Sequence, residues 1–193
     1  MNTKKLFLFL ATVLFISSAA LIAQEAGQDE QMKIWMDYMT PGEVHQAMAS
    51  FAGDWKTENK MWMAPDTEPM ITEGTCKMEM LLGGRYLKST HNGNYMGMPF
   101  EGFSIEGFDK ATNTFNYVWV DNFGTGMMVM KGTYDDATKS VTYKGTMVDP
   151  VQKKEVPVKE IVTVGDSNKI VMQMFSEVDG KEFKNMEITF IRP

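Results

Sequence analysis

Two residue types that carry much of protein chemistry are scarce in this chain. It has one cysteine and two histidines among 193 residues. One cysteine cannot close an internal disulfide or build a cysteine-based zinc site. Two histidines leave little room for a histidine-rich metal centre. The longest apolar run, Leu6 to Ile16, falls short of the roughly 20 residues that a spanning helix needs. Positive charge is in deficit, with 19 basic against 25 acidic residues, which disfavours nucleic acid and anionic lipid as partners. What is present is an ordinary apolar fraction of 44% and an unusual 19 methionines. That apolar fraction excludes a disordered or fibrous chain. The length allows one domain, or at most two small ones.

Residues 1–23 read as a secretory signal peptide. Lys4 and Lys5 open it, the apolar run follows, and Ser18-Ala19-Ala20 provides a small-x-small cleavage site, with Ala23-Gln24 as a second. No cysteine follows the run, so a lipid anchor is not expected. Cleavage near Ala20 or Ala23 places the protein in the periplasm or outside the cell, with no stable membrane insertion. Removing Lys4 and Lys5 leaves 17 basic residues against 25 acidic, a balance of −8.

Residues 24–40 read as a polar linker or short helix, with Ile34, Trp35, Met36, Tyr38 and Met39 as a small apolar cluster. Residues 41–193 read as one barrel domain. Thr40-Pro41-Gly42-Glu43 has the form of a helix start, with Thr40 as cap and Glu43 three residues later. Val44, Ala47, Met48 and Phe51 then recur at helical spacing, and Gly53 ends the helix. This numbering places His45 on the helix surface.

After Asp54 the period changes to two. Thr72, Gly74, Cys76, Met78, Met80 and Leu82 share one face of a strand, against Glu73, Thr75, Lys77 and Glu79 on the other. Phe115, Tyr117 and Trp119 form a similar face, as do Met186, Ile188 and Phe190. Val156, Val158, Val162 and Val164 form another, with Glu160 intruding. Turn signals separate the runs: Gly83-Gly84, Asn92-Gly93-Asn94, Asp109 to Asn113, Asp135 to Lys139, Gly165 to Asn168, and Asp179-Gly180. The spacing leaves no room for crossover helices. About ten strands in an antiparallel up-and-down meander result, and closure into a barrel removes their exposed edges.

Two resemblances follow. "FAGDWK" supplies a Gly-x-Trp at Gly53 and Trp55 after a short helix, and Arg192 lies near the end of the last strand. This combination resembles the lipocalin-like (calycin) barrels. The resemblance implies that Arg192 packs over Trp55 and closes one end of the barrel. The strings "AGDW", "MWMAP", "EMLLGGRYL", "MGMPFEG" and "DNFGTG" resemble a bacterial family of unknown function, domain-of-unknown-function family fifteen seventy-nine, from about Pro41 to Arg192. That resemblance implies a single domain and no catalytic residue.

The residues that bear on chemistry are few. Nitrobindin-like barrels hold haem through a histidine near the C-terminus, whereas this chain has none after His91. Four Met-x-Met pairs, Met61/Met63, Met78/Met80, Met96/Met98 and Met172/Met174, carry soft thioether sulfur of the kind that suits Cu(I). Strand alternation puts both members of each pair on one face in any case, so an apolar wall written in methionine explains them equally. Cys76 shares the apolar parity, as a buried thiol, with neither histidine near it in sequence. Glu106, Asp121 and Glu160 are read as outer-face or strand-end carboxylates, because an inward carboxylate is costly unless paired. Arg85 is the candidate partner. "VDNFGTGMM" lacks the Gly-Lys-Thr/Ser of a phosphate loop. It is expected, with "MGMPFEG", at the mouth of a cavity.

The chain is thus expected to be an exported, non-catalytic lipocalin-like barrel that binds a small apolar or amphipathic molecule without a metal or other cofactor. Candidate cavity and rim residues are Met78, Met80, Arg85, His91, Met96, Met98, Phe115, Tyr117, Trp119, Asp121, Asn122, Met172 and Met174. The competing expectation is a structural or interaction module with a filled core, and a further alternative is haem or copper binding.

Overall fold

The computed structural model describes residues 27–166, 168–178 and 180–193. The expected signal peptide and the start of the linker lie outside the described residues. The chain divides into two units after Thr40. In the first, helix α1 occupies 27–39 and is exposed along its length. The Thr40 hydroxyl donates to the Met36 carbonyl at 2.7 Å, and its amide donates to Asp37 at 3.1 Å. Thr40 therefore finishes α1 and does not cap the following helix.

The second unit begins with α2, Glu43–Ala49. Its N-cap is Gly42, whose amide donates to Nδ1 of His45 at 3.1 Å. The expected Thr40 cap is thus displaced by two residues. The capping role also turns His45 inward, where it meets the edge of Phe108 at 6.0 Å. The expected surface position of His45 is corrected accordingly, and burial lowers its pKa.

Ten antiparallel strands follow. They are β1 (Gly53–Met61), β2 (Met70–Leu81), β3 (Tyr86–Tyr95), β4 (Met98–Asp109), β5 (Thr114–Asp121), β6 (Met128–Asp135), β7 (Ser140–Asp149), β8 (Lys154–Asp166), β9 (Lys169–Val178) and β10 (Lys181–Ile191). Each pairs with its neighbour in sequence, and β1 pairs with both β2 and β10, which closes the barrel. The alternation in β2 appears as Cys76 and Met78 buried against exposed Thr75 and Lys77. Leu82 departs from that face. It opens the β2–β3 turn with a positive φ of 48° and is exposed.

Three hairpins share one construction. Asp109, Asp135 and Asp149 each accept a backbone amide from two residues ahead, at 2.8, 2.9 and 2.8 Å. Each turn then closes through a left-handed residue, Asn113, Lys139 or Lys153. Asn92-Gly93-Asn94 is not a turn. It lies inside β3, where Gly93 pairs with Gly74. The turn falls at Met96-Gly97, both with positive φ, and Gly97 donates to Oδ1 of Asn94 at 2.8 Å.

Arg192 closes one end of the barrel as the resemblance implied. Its guanidinium lies 4.4 Å from the centre of the Trp55 ring and donates to the Ala52 and Ser50 carbonyls at 3.3 and 2.6 Å. Trp55 is 1% exposed, and its indole N–H donates to Phe51 at 2.9 Å. Met48 of α2 is buried in the core, with Val44 and Phe51 packed against it.

Candidate functional site

Ten strands enclose more space than their own side chains fill. A cavity of about 1850 Å³ runs through the barrel, from Met48 and Phe51 at the α2 end to Tyr95, Phe123 and Met127 at the other. Small-molecule pockets span about 300–1,000 Å³, so the interior is not packed shut. Inward positions on β4, unassignable from the sequence, are Phe100, Ser104, Glu106 and Phe108.

Aromatic rings organise both ends. Near the mouth, Tyr95 meets Phe123 at 5.6 Å, Phe123 meets Phe100 at 5.3 Å, and Phe100 stacks on Trp119 at 6.3 Å. His91 sits edge-on to Trp119 and Phe190 at 5.1 and 5.7 Å. Toward α2, Phe108 meets Phe115 at 5.0 Å, and Tyr117 meets Tyr143 at 5.4 Å. The mouth itself is tied by hydrogen bonds. Asp121 accepts the Trp119 indole N–H at 2.7 Å and the Phe123 amide at 2.9 Å. Asn122 accepts from the Glu101 amide and donates to the Pro99 carbonyl, both at 3.0 Å. The two segments expected at the mouth are thereby joined.

The Tyr117–Tyr143 pair also belongs to a polar belt. Strand register pairs Glu106 with Tyr117 and Tyr143 with Glu160. The Tyr143 hydroxyl donates to Oε1 of Glu106 at 2.6 Å. Gly132 makes room for that reach, because a Cβ there would stand 2.6 Å from the Tyr143 ring. Glu160 is 2% exposed, and its Oε2 has no hydrogen-bond partner. Burial, and then repulsion from Glu106, pushes the Glu160 carboxyl up to about 8. Burial also raises Glu106, against the bond from Tyr143. Both tyrosines are held well above their ordinary value, chiefly by burial. These carboxyls face inward, which corrects the outer-face expectation for Glu106 and Glu160. The belt was missed because an inward glutamate breaks the apolar pattern that defines a core face. The one available signal was Glu160 on the parity of Val158 and Val162.

The belt continues to Cys76, whose Sγ lies 3.6 Å from Nε2 of His91. Their adjacency arises from register, since Cys76 and His91 are direct cross-strand partners. Burial pushes the thiol up to about 12 and the imidazole down to about 4. The pair is therefore a neutral thiol beside a neutral imidazole, without the thiolate that nucleophilic attack requires.

Of the residues expected to line a cavity, Met78, His91, Phe115, Tyr117, Trp119, Asp121, Asn122, Met172 and Met174 do so. Four do not line it. Met80 packs against the core cluster. Arg85 lies after the β2–β3 turn and donates to the Leu82 carbonyl at 3.0 Å. Met96 and Met98 are 69% and 51% exposed at the β3–β4 hairpin, because the turn falls there and not at Asn92-Gly93-Asn94.

The family model described as "Protein of unknown function (DUF1579)" matches residues 40–192. This chain belongs to that family. The DUF1579 match spans the barrel and α2 together. A solved structure titled "Crystal Structure of Rv2717c from M. tuberculosis" is similar with a TM-score of 0.60 and 14% identity, covering 80% of this chain and 99% of that one. At that identity the likeness shows the fold alone. No curated protein matches the chain.

Proposed function

We propose that this DUF1579 protein is an exported, non-catalytic binding protein that holds a small apolar or amphipathic molecule inside its barrel. The observation that carries the reading is the interior of about 1850 Å³, whose wall carries many methionine and aromatic side chains with polar groups among them. Methionine is suited to such a wall, since its unbranched thioether adapts to ligand shape. A filled structural barrel is the competing reading, and the size of the interior counts against it. Export belongs to the same proposal and is supported by the signal pattern of residues 1–23.

Native mass spectrometry of protein purified from its own host tests the reading. The expected result is a bound small molecule that is lost on denaturation, on a chain starting after Ala20 or Ala23. A ligand-free barrel that also fails to take up an apolar fluorescent dye would sink it.

A further inference from the structure

The charged side chains lining the cavity are unevenly distributed. Among the described residues they are Glu43, Glu106, Asp121 and Glu160 against the single cation Lys139. Lys139 is held at the α2 end by Asp136 at 2.6 Å. Asp121 is occupied at the mouth by the Trp119 indole N–H and the Phe123 amide. Glu43 is exposed in the first turn of α2, which leaves the pair Glu106 and Glu160. Glu106 accepts from Tyr143, whereas Glu160, 2% exposed, keeps Oε2 without a partner.

A buried acceptor without a donor is an uncommon feature, and a cavity wall is where a ligand would supply one. We propose that Glu160, with Glu106 beside it, is the anchor of the cavity, and that the ligand is an apolar molecule carrying a basic amine. This deepens the binding reading above and rests on it. An ammonium gives Oε2 of Glu160 a partner and favours the ionised carboxylate, displacing the proton that burial otherwise keeps there. Tyr117 and Tyr143, whose rings lie 5.4 Å apart, line the same cavity and give it electron-rich rings suited to a cation. A fatty acid would bring a third carboxylate to a site with no cation to receive it. An alcohol would meet Oε2 but bring no charge to favour the carboxylate. Glu106 opposes ionisation of Glu160 and so helps to raise its carboxyl.

Isothermal titration of the full mature protein with decylamine, decanol and decanoate, at concentrations below their aggregation, tests the proposal. Decylamine is expected to bind tightest. Glu160→Gln is expected to weaken it by about ten- to hundredfold, the range of a charge-assisted hydrogen bond, while leaving decanol within about threefold. Decanol or decanoate binding as tightly as decylamine would overturn the amine assignment and leave the cavity reading standing. An unchanged decylamine affinity in a folded Glu160→Gln protein would overturn it equally. Binding of none of the three would overturn both. The wild-type ranking decides the matter even if the variant does not fold.

Discussion

Glutamine at position 160 probes the polar belt without any ligand. The Glu160 carboxyl titrates near 8 in the folded protein against 4.5 ordinarily, first through burial and then through Glu106. Between those values the folded state holds a proton that the unfolded chain has released. The contribution of this group is therefore fully present below about pH 4.5 and is lost progressively as the pH rises through about 8. At about 1.4 kcal/mol per unit, the shift sets an upper limit of roughly 5 kcal/mol. Relaxation around a newly charged group reduces such figures, and a loss of roughly 2–4 kcal/mol is expected. The other groups facing Glu160 do not titrate in this window in a way that masks it. Tyr117 and Tyr143 stay neutral, and Glu106 is itself raised and adds to the trend. Urea unfolding of wild type and Glu160→Gln, from about pH 5 to about pH 9, reads the difference directly. Wild type should lose stability relative to the variant as pH rises, and Glu106→Gln should retain a shallower slope. Parallel curves for wild type and Glu160→Gln would refute the buried, inward placement of this carboxyl.

Arg192→Ala should cost about 2–3 kcal/mol in urea unfolding, from the lost cation–π contact with Trp55 and two charge-assisted hydrogen bonds. Arg192→Lys should recover only part of this, and a loss under about 0.5 kcal/mol would mean that the barrel end is closed without Arg192. Gly145→Ala should be strongly destabilising, because its Cβ would stand 2.2 Å from the Val129 carbonyl oxygen. Gly126→Ala at the mouth should change stability by less than about 0.5 kcal/mol, since a Cβ there meets nothing within 4 Å. Similar thermal shifts for the two would contradict the packing of β6 on β7. Cys76, 1% exposed and with its thiol raised to about 12, should resist iodoacetamide in native buffer and react once unfolded. Rapid labelling of the folded protein, followed by mass spectrometry, would contradict that environment.

Much of the architecture was legible in the residue order. Period-two alternation on β2 and β5 and turn residues at hairpin spacing act through local geometry, while Gly-x-Trp with a terminal arginine was informative through the resemblance to lipocalin-like barrels. They specify strands, an antiparallel meander and a closed end. The errors fell where two local signals competed. Thr40 is a good N-cap, but α1 took its hydroxyl. Asn92-Gly93-Asn94 has turn chemistry, but pairing of Gly93 with Gly74 extended the strand to Met96-Gly97. Asp149 to Lys153 repeats the Asp-led hairpin but was not read as a turn.

The site needed tertiary structure. Which face of β4 points inward depends on register with both neighbours, so Glu106 and Ser104 were assigned only once the barrel closed. Cys76 and His91 lie 15 positions apart, and Glu106 and Tyr143 lie 37 apart. Cys76 and His91 meet because adjacent strands pair them directly, whereas Tyr143 on β7 reaches Glu106 on β4 across the gap that Gly132 leaves. The sequence by itself determined a ten-strand barrel with a methionine-rich wall. The closed sheet decided that the wall surrounds open space and carries a pair of carboxyls. The physical reason is that alternation specifies faces one strand at a time, whereas a cavity is a property of all ten strands at once.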